Sequence, residues 1–290
     1  MYKNRNIILL SFATSDLKKS IKRFSLQAQN SNYYDQIKII TPNELSYYNK
    51  QKIGKFLSQG KKRGYCYWYW KPLLLLETLD KVKDGDIIHY LDIGFHINKN
   101  SNNRFNEYLD FLIEFDRSLL AFQYFALKNR NSSGINFPKR EELKYTKADL
   151  FKYFGKLDNI DITHTPQFSA GNIFIKKDKK IKNFLLDWTE VFEKRFDLID
   201  DTPSKSKNFE KFIENRHDQS VFSILCKINL IKSLSAYEFD WAEKDQKRTW
   251  EHIIDYPFLA KRDLKYNIFK RFFRRQVKTL RRIKKKLISI

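Results

Sequence analysis

The chain from residue 7 to residue 40 reads IILLSFATSDLKKSIKRFSLQAQNSNYYDQIKII. Its first seven residues form a buried-strand pattern, and residues 36–40 form a second one that stops at Thr41-Pro42. Residues 16–30 lie between them and repeat apolar side chains on one face of a helix, at Leu17, Ile21, Phe24 and Ala28. Strand, helix and strand in this order predict a βαβ unit, and therefore an α/β fold with a mainly parallel sheet.

The composition is that of a globular protein with a sizeable core. Hydrophobic residues make up 42% of the 290 residues and charged residues make up 31%. That charged share, and the lack of an apolar stretch long enough to cross a bilayer, argue against an integral membrane protein. The first residues show no secretory signal pattern, so we expect a cytoplasmic protein. Its two cysteines, Cys66 and Cys226, are then expected to be free and buried, with a single disulfide as the alternative.

Positive charge is concentrated at the C-terminal end of the chain. The net charge is +22, and residues 261–290 hold 13 Lys and Arg against one acid, Asp263. We therefore expect a catalytic domain over residues 1–255 and a basic amphipathic helical extension over residues 256–290. Residues 261–290 are predicted to bind an anionic membrane surface and to be dispensable for chemistry; a helix packed on the domain is the alternative. The apolar stripe of that helix is Ile268, Phe269, Phe272, Phe273, Val277, Leu280, Ile283, Leu287 and Ile288.

A strand pattern over residues 87–91 ends in Asp92, and Gly94 follows two residues later. Ligands of open α/β sheets bind outside the carboxyl ends of the strands, where this carboxylate would lie. The two phosphates of a nucleotide-sugar need a divalent cation or basic side chains to offset their charge. Asp92 is therefore a candidate site residue, and an ordinary turn after a strand is the alternative.

An aromatic segment at residues 65–70 reads YCYWYW and is flanked by Arg63 and by Lys71-Pro72. Pro72 opens a predicted helix over residues 73–81 and lies near its first turn, a position that proline favours. We interpret the segment as a loop whose rings line a ligand cleft, with Arg63 and Lys71 available to phosphate oxygens. The alternative is an aromatic core strand with both cations in solvent.

Two further segments place small or polar residues beside apolar runs. Residues 168–175 read FSAGNIFI, and small residues inside a strand mark close approach by a ligand or another backbone, or a bulge. Residues 215–222 read NRHDQSVF at the start of a predicted helix. Asp218 could cap this helix, or Asp218 and Gln219 could point into a cleft and bind sugar hydroxyls.

Several classes of function lack their sequence signals. None of the five histidines has the i, i+4 spacing of a helical metal site, and two cysteines make a zinc site improbable. The sequence contains no G-x-G-x-x-G, no P-loop and no G-x-S-x-G. Dinucleotide-binding, NTPase and serine-hydrolase functions therefore have no support.

Taken together and in this order, four segments resemble a group of bacterial glycosyltransferases from capsule and lipopolysaccharide clusters. The segments are GYCYWYWKP at 64–72, GDIIHYLDIG at 85–94, FSAGNIFI at 168–175 and RHDQS at 216–220. The resemblance spans residues 7–240. Asp92 looks like a shortened form of the Asp-x-Asp motif of GT-A enzymes. The segments with Gly171-Asn172 and Asp218-Gln219 look similar to sugar-cleft segments of family 8 glycosyltransferases.

The resemblance implies a single GT-A-like domain with a Rossmann-like nucleotide-binding half. It implies that Asp218 and Gln219 are catalytic and lie near the transferred sugar, with Asp218 as the first candidate for a general base. Asp92 would lie near the diphosphate and a Mn²⁺ or Mg²⁺ ion. Gly94 stands where the motif has its second acid, which puts the metal in doubt. Lys71 or Arg63 would then share in holding the diphosphate. The donor-binding set that we expect is Ser11, Ala13, Thr14, Arg63, Tyr67, Trp70, Lys71, Asp92, Gly94, Ser169, Gly171 and Asn172.

The function implied is transfer of a sugar from a nucleotide-sugar to a surface-polysaccharide or lipopolysaccharide acceptor. The acceptor would be a glycan or lipid-linked glycan, and the enzyme would sit peripherally at the inner face of the cell membrane. One alternative is a nucleic-acid-binding protein, but its charge would be interleaved with the aromatic residues, so no nucleic-acid partner is expected. The other is a non-catalytic glycan-binding module, which has less need of Asp92.

Overall fold

The computed structural model describes residues 1–127 and 134–262, together with Gln276. Its central strands are continuous apolar runs, such as IILLSF, because both faces of the sheet are covered. The strands are β1 (Ile7–Phe12), β2 (Gln36–Ile40), β3 (Ile87–Leu91), β4 (His96–Ile97), β5 (Leu119–Gln123), β6 (Phe168–Lys176), β7 (Ser233–Ser235), β8 (Ala242–Lys244), β9 (Lys247–Thr249) and β10 (Phe258–Leu259).

Helices occupy most of the connections between these strands. They are α1 (Lys18–Ser31), α2 (Tyr47–Ser58), α3 (Gly64–Tyr67), α4 (Trp70–Lys81), α5 (Asn102–Ile113), α6 (Glu142–Tyr145), α7 (Ala148–Tyr153), α8 (Ile160–Thr163), α9 (Lys179–Lys194) and α10 (Asp218–Ile228). Short 3₁₀ turns lie at Ser15–Leu17, Pro42–Glu44, Phe196–Leu198, Ala236–Glu238 and Glu251–Ile253.

Six strands form the central sheet, in the order β2-β1-β3-β6-β5-β7. Strand β1 pairs in parallel with β2 and β3, and β5 pairs in parallel with β7. Strand β6 runs antiparallel to both of its neighbours, β3 and β5. The predicted α/β class with a mainly parallel sheet is confirmed, and the βαβ unit at residues 7–40 is its first element.

The two faces of the sheet carry two apolar clusters. Leu10, Ile88 and Tyr90 pack with side chains from α2, α4, α9 and α10 on one face. Leu9 and Phe174 pack with side chains from α1 and α5 on the other. Both cysteines are free and buried, as the sequence predicts.

The aromatic segment is not a strand, so the core-strand alternative is wrong. Five consecutive residues, from Gly64 to Trp68, have positive φ values between 51° and 71°. The amide of Tyr67 donates to the carbonyl of Arg63 at 2.5 Å, and the amide of Trp68 donates to that of Gly64 at 3.3 Å. These bonds close a left-handed helical turn. Each non-glycine residue in this conformation costs roughly 1–2 kcal/mol, so the turn needs stabilising contacts elsewhere.

Burial and hydrogen bonding hold the left-handed turn. The indole Nε1 of Trp70 donates to the carbonyl of Gly64 at 3.0 Å. Cys66 and Tyr69 are completely buried in the core. Gly64 lies so close to Trp68 that a Cβ built on it would stand 2.7 Å from the indole ring. A larger residue at position 64 would add a clash with the Trp68 ring to the cost of its positive φ.

The last described strand closes the domain beside β3. Strand β10 pairs antiparallel with β4, and Phe258 is buried in the core. The predicted boundary between residues 255 and 256 therefore lies just before a packed strand. The rest of the predicted extension, residues 263–290 apart from Gln276, lies outside the described residues. Within the described ranges, none of the helices combines the length and the apolar character that a bilayer crossing requires.

We predict that Gly64→Ala lowers the free energy of unfolding by more than about 2 kcal/mol, because the new Cβ adds a clash with Trp68 to the left-handed strain. The matched control is Gly155→Ala, where φ is 62° but no heavy atom lies within 4 Å of the new Cβ. That variant should lose about 1 kcal/mol from strain alone. Urea unfolding of both variants measures the difference, and equal losses would contradict a role for the ring contact.

Candidate active site

Asp92 lies where the central strand β3 ends. Its amide donates to the carbonyl of Gly171 on β6 at 2.9 Å, and its carbonyl accepts from the amide of Phe95, which closes a turn over residues 92–95. The hydroxyl of Tyr90 donates to Asp92 Oδ1. The Asp92 side chain is partly exposed, so a carboxylate is available at the carboxyl edge of the sheet.

Lys71 joins Asp92 to a second carboxylate. It lies in the first turn of α4, where Pro72 favours helix initiation, and it is only 2% exposed. Its Nζ donates to Asp218 Oδ2 at 2.7 Å and to the carbonyl of Ala170 at 2.9 Å. Asp92 Oδ1 lies 3.6 Å from the same nitrogen. One buried ammonium thus serves two carboxylates and one carbonyl.

The electrostatics of this cluster are asymmetric. Burial raises the pKa of Asp218 to about 6, against the opposing effect of the Lys71 charge. Burial also lowers the pKa of Lys71, but the charges of Asp218 and Asp92 outweigh it and raise that pKa overall. Lys71 therefore stays charged, and Asp218 is the member of the cluster that takes up a proton in mildly acidic solution.

Asp218 is the first residue of α10 and not its N-cap. The N-cap position belongs to His217, whose side chain makes no capping bond. His217 has φ 56° and ψ −119°, a strained conformation of the kind that persists where surrounding structure enforces it. Its Nδ1 lies 2.6 Å from the carbonyl oxygen of Ile199, and the rings of Tyr67 and Trp68 pack against it. The left-handed turn therefore borders the cluster through His217.

The small residues of β6 let its backbone meet the cluster. The pairing of β5 with β6 shifts register between Leu120 and Phe122, so the predicted bulge is present. At this irregularity the carbonyls of Ala170 and Gly171 accept from Lys71 and from the amide of Asp92. A Cβ on Gly171 would lie 2.9 Å from Asp92 Oδ2. The small residues of β6 are also predicted to allow close approach by another group. That approach is present as well, since Lys71 and Asp92 lie against this backbone.

Gln219 extends the polar edge beyond Asp218. Its Nε2 donates to Gln167 Oε1 at 2.8 Å, and the buried Gln167 donates to Thr146 Oγ1 at 3.0 Å. Gln219 itself is partly exposed. Gln167 and His217 are not among the candidates predicted from the sequence, although Gln167 directly precedes the FSAGNIFI segment and His217 lies within the RHDQS segment.

Four other predicted donor residues are bonded within the sheet or at its edge. Ser11 is buried and donates to the carbonyl of Leu91 at 2.7 Å. The amide of Ala13 donates to the carbonyl of Ile40 at 3.0 Å. Thr14 follows β1, is partly exposed, and its hydroxyl donates to Asp16. Ser169 accepts from the amide of Gly171 at 3.3 Å.

Asn172 lies on the far side of β6 from Lys71. Its Oδ1 is 2.9 Å from Nε2 of the buried His89. Within the described chain, its Nδ2 is buried and has no hydrogen-bond partner. Asn172 is therefore a core residue by position, although it adjoins Gly171.

The basic and aromatic candidates divide into two groups. Arg63 donates to Asp201 at 2.7 Å, and Tyr67 donates to the same carboxylate at 3.0 Å, away from Lys71. Trp70 stacks on Phe12 with ring centroids 4.1 Å apart, next to the cluster. The structure thus brings together Lys71, Asp92, Gly171 and Asp218, with Gly94 in the turn after Asp92 and with Trp70 and Gln219 at their margin.

The side chains of the cluster do not by themselves form a divalent-cation site in the part of the chain that the structure describes. The ammonium of Lys71 lies between the two nearest carboxylates, Asp92 and Asp218. Among residues 1–127 and 134–262, no three His, Cys, Asp or Glu side chains are grouped so that they could hold a metal ion. The Mn²⁺ or Mg²⁺ ion that the resemblance implies stays a prediction.

We predict that Gly171→Ala reduces activity more than stability, because its Cβ would displace the Asp92 carboxylate from Lys71. The matched control is Gly54→Ala in α2, where no heavy atom lies within 4 Å of the new Cβ. That control should keep full activity and gain up to about 1 kcal/mol of stability. Turnover per folded molecule and melting temperature, measured on both variants, decide the point; full activity in Gly171→Ala would contradict it.

Comparison with known proteins gives distant structural similarity. No protein-family model and no curated protein matches the sequence. Mouse xyloside xylosyltransferase 1 is 11% identical, with a TM-score of 0.42, over 81% of this chain and 86% of that chain. A glycosyltransferase involved in glycosylation of the major capsid of PBCV-1 is 10% identical, with a TM-score of 0.40, over 88% and 91%. The galactosyltransferase LgtC is 13% identical, with a TM-score of 0.38, over 81% and 75%. All three are glycosyltransferases.

Proposed function

We propose that this protein is a glycosyltransferase with a GT-A-like fold, which transfers a sugar from a nucleoside-diphosphate sugar to a hydroxyl group of a glycan acceptor. The observation that carries the proposal is the cluster of Lys71, Asp92 and Asp218 at the carboxyl edge of the sheet. Open α/β sheets bind their ligands at this edge. The small residues of β6 let its backbone come close to Lys71 and Asp92 at this edge.

Each side chain of the cluster has a role in this reaction. Asp218 is our candidate general base for the acceptor hydroxyl in an inverting reaction, and Gln219 supplies an amide for sugar hydroxyls. A base with a pKa near 6 is ionised at neutral pH, yet still basic enough to accept a proton in the transition state. Asp92 lies on the diphosphate side. Lys71 holds both carboxylates in position and keeps them from repelling each other.

Above pH 6 Asp218 is a carboxylate, and below pH 6 it is protonated and can no longer act as a base. We predict that kcat/KM falls on the acid side with a midpoint near 6, since this parameter reports the free enzyme's essential groups. Burial lowers the pKa of His217 to about 4 and that of His89 to about 3, so neither histidine accounts for such a midpoint. A flat profile between pH 5 and pH 7 would contradict the role of Asp218.

The experiment that tests the function begins with a panel of nucleotide-sugars, each added with and without Mn²⁺ while the melting temperature is recorded. The donor that stabilises the protein is then used in a transfer assay with glycan acceptors. Asp218→Asn and Asp92→Asn should each lower turnover per folded molecule by at least about 100-fold. The control is Asp80→Asn, which removes an exposed carboxylate paired with Lys182 and should leave turnover unchanged. If no donor stabilises the protein and none is turned over, the proposal is wrong.

We also propose that the acceptor is a surface-polysaccharide or lipopolysaccharide precursor, reached from the cytoplasmic side of the membrane. The support is the basic C-terminal sequence. Residues 263–290 contain 11 Lys and Arg and one acid, with apolar residues at near-helical spacing. Each basic residue near an anionic bilayer contributes about 1 kcal/mol. A lipid-linked acceptor would then be held beside the enzyme.

Deletion of residues 263–290, which keeps every residue up to Arg262, should abolish sedimentation with anionic liposomes at low salt. Turnover on a soluble acceptor should survive, because the deletion leaves the cluster intact. Liposomes of neutral lipid are the control, and should bind neither form. A truncated protein that still binds anionic liposomes would overturn the membrane proposal, and an insoluble one would overturn it in favour of a helix packed on the domain.

A further inference from the structure

The turn over residues 92–95 has an arginine lying against it. A Cβ built on Gly94 would stand 3.1 Å from Cγ of Arg262 and 3.8 Å from its Nε. Gly94 is also the residue that departs from the Asp-x-Asp pattern, where a second carboxylate would stand. A basic side chain, Arg262, therefore lies beside the position where the motif has its second acid.

The backbone that carries Arg262 is well anchored. Phe258 and Leu259 pair with Ile97 and His96 on β4. The amide of Ala260 donates to the carbonyl of Phe239 at 2.7 Å. The side chain of Arg262 itself is exposed, and no carboxylate within residues 1–127 and 134–262 forms an ion pair with it. Its guanidinium is therefore exposed beside the turn over residues 92–95.

A second arginine holds the same turn from the side of α1. Arg23 donates to the carbonyl of Phe95 at 2.6 Å and to that of Ile93 at 3.1 Å. These bonds tie two carbonyls of the turn to one guanidinium. The shape of the turn is thus held by Arg23, while Arg262 lies across Gly94.

The charge of the cluster makes a cation necessary for binding a diphosphate. Lys71 offsets only one of the two carboxylates Asp92 and Asp218, so the ionised cluster carries a net negative charge. Both bonded partners of Lys71, Asp218 and the Ala170 carbonyl, are buried with it. A diphosphate placed beside Asp92 would be repelled unless another positive group met it. A guanidinium can bind two phosphate oxygens at once through its fork of N–H donors.

We infer that Arg262 binds the diphosphate of the donor beside the turn over residues 92–95, in the role that a divalent cation would otherwise fill. The inference rests on the proposed function for its ligand class, but the site itself recognises any diphosphate. It also moves the start of the C-terminal basic segment, expected from sequence to be dispensable, into the donor site.

The test uses inorganic pyrophosphate as the probe and full-length protein, with binding measured by isothermal titration calorimetry in EDTA. The unaltered protein should bind pyrophosphate without a metal, and added Mg²⁺ should not tighten binding. Arg262→Ala should weaken binding at least ten-fold. The affinity of Arg262→Lys should lie between those of the unaltered protein and Arg262→Ala, because lysine keeps the charge but lacks the fork of N–H donors. Lys261→Ala is the matched control and should stay within two-fold; that ammonium lies over the Trp250 ring.

A second variant tests the geometry. Gly94→Asp would place a carboxylate against Arg262, and should weaken metal-free pyrophosphate binding as strongly as Arg262→Ala does. Binding that needs Mg²⁺ in the unaltered protein, or equal affinity in Arg262→Ala, would overturn the inference. Pyrophosphate binding that depends on Arg262, together with no response to any nucleotide-sugar, would support the anion site and count against sugar transfer. The two proposals can therefore fail separately.

Discussion

The interaction on which the site depends is the buried ammonium of Lys71. It bonds Asp218 at the start of α10 and the Ala170 carbonyl in the irregular part of β6, and it faces Asp92 at the end of β3. A charge in such a place is tolerated only when it is paired and hydrogen-bonded, and removal of one partner of a buried pair typically costs 3–5 kcal/mol. The same contacts therefore hold three segments of backbone together and set the spacing of the two carboxylates. Stability and the proposed chemistry are linked here through a single nitrogen atom.

Strain surrounds this cluster on the side of the aromatic segment. The left-handed turn from Gly64 to Trp68 and the backbone of His217 both lie in conformations that cost energy. They contact each other, since Tyr67 and Trp68 pack on the His217 ring. Burial of Tyr69 and Trp70 in the core offsets the cost. Strained segments of this kind occur at ligand sites because the surrounding structure enforces a geometry that the chain would not adopt alone.

Much of the fold could be predicted from the sequence, and the reason is periodicity. The strand and helix patterns at residues 7–40 reflect burial on one side or both, and the spacing of the apolar residues records that burial directly. The left-handed turn could not be predicted in this way, because the residues of YCYWYW have no preference for positive φ. Asp92, Lys71 and Asp218 could be nominated singly from strand ends and helix starts. Their common meeting point could not, because it depends on the position of β6 between β3 and β5. Arg262 was out of reach for the same reason, since its contact with Gly94 exists only once β10 has paired with β4.

The sequence separation of these contacts has a consequence for how the protein is made. Lys71 and Asp218 are 147 residues apart, and Lys71 and Ala170 are 99 apart. Contacts this distant close late, because the entropy of long loops must be overcome before they form. During synthesis, strands β1, β2 and β3 can pair as soon as they emerge, but Lys71 has no carboxylate from α10 until most of the chain has been translated. Nascent chains therefore carry an incompletely paired lysine beside an unfinished sheet edge, and such intermediates are the ones that chaperones protect from aggregation.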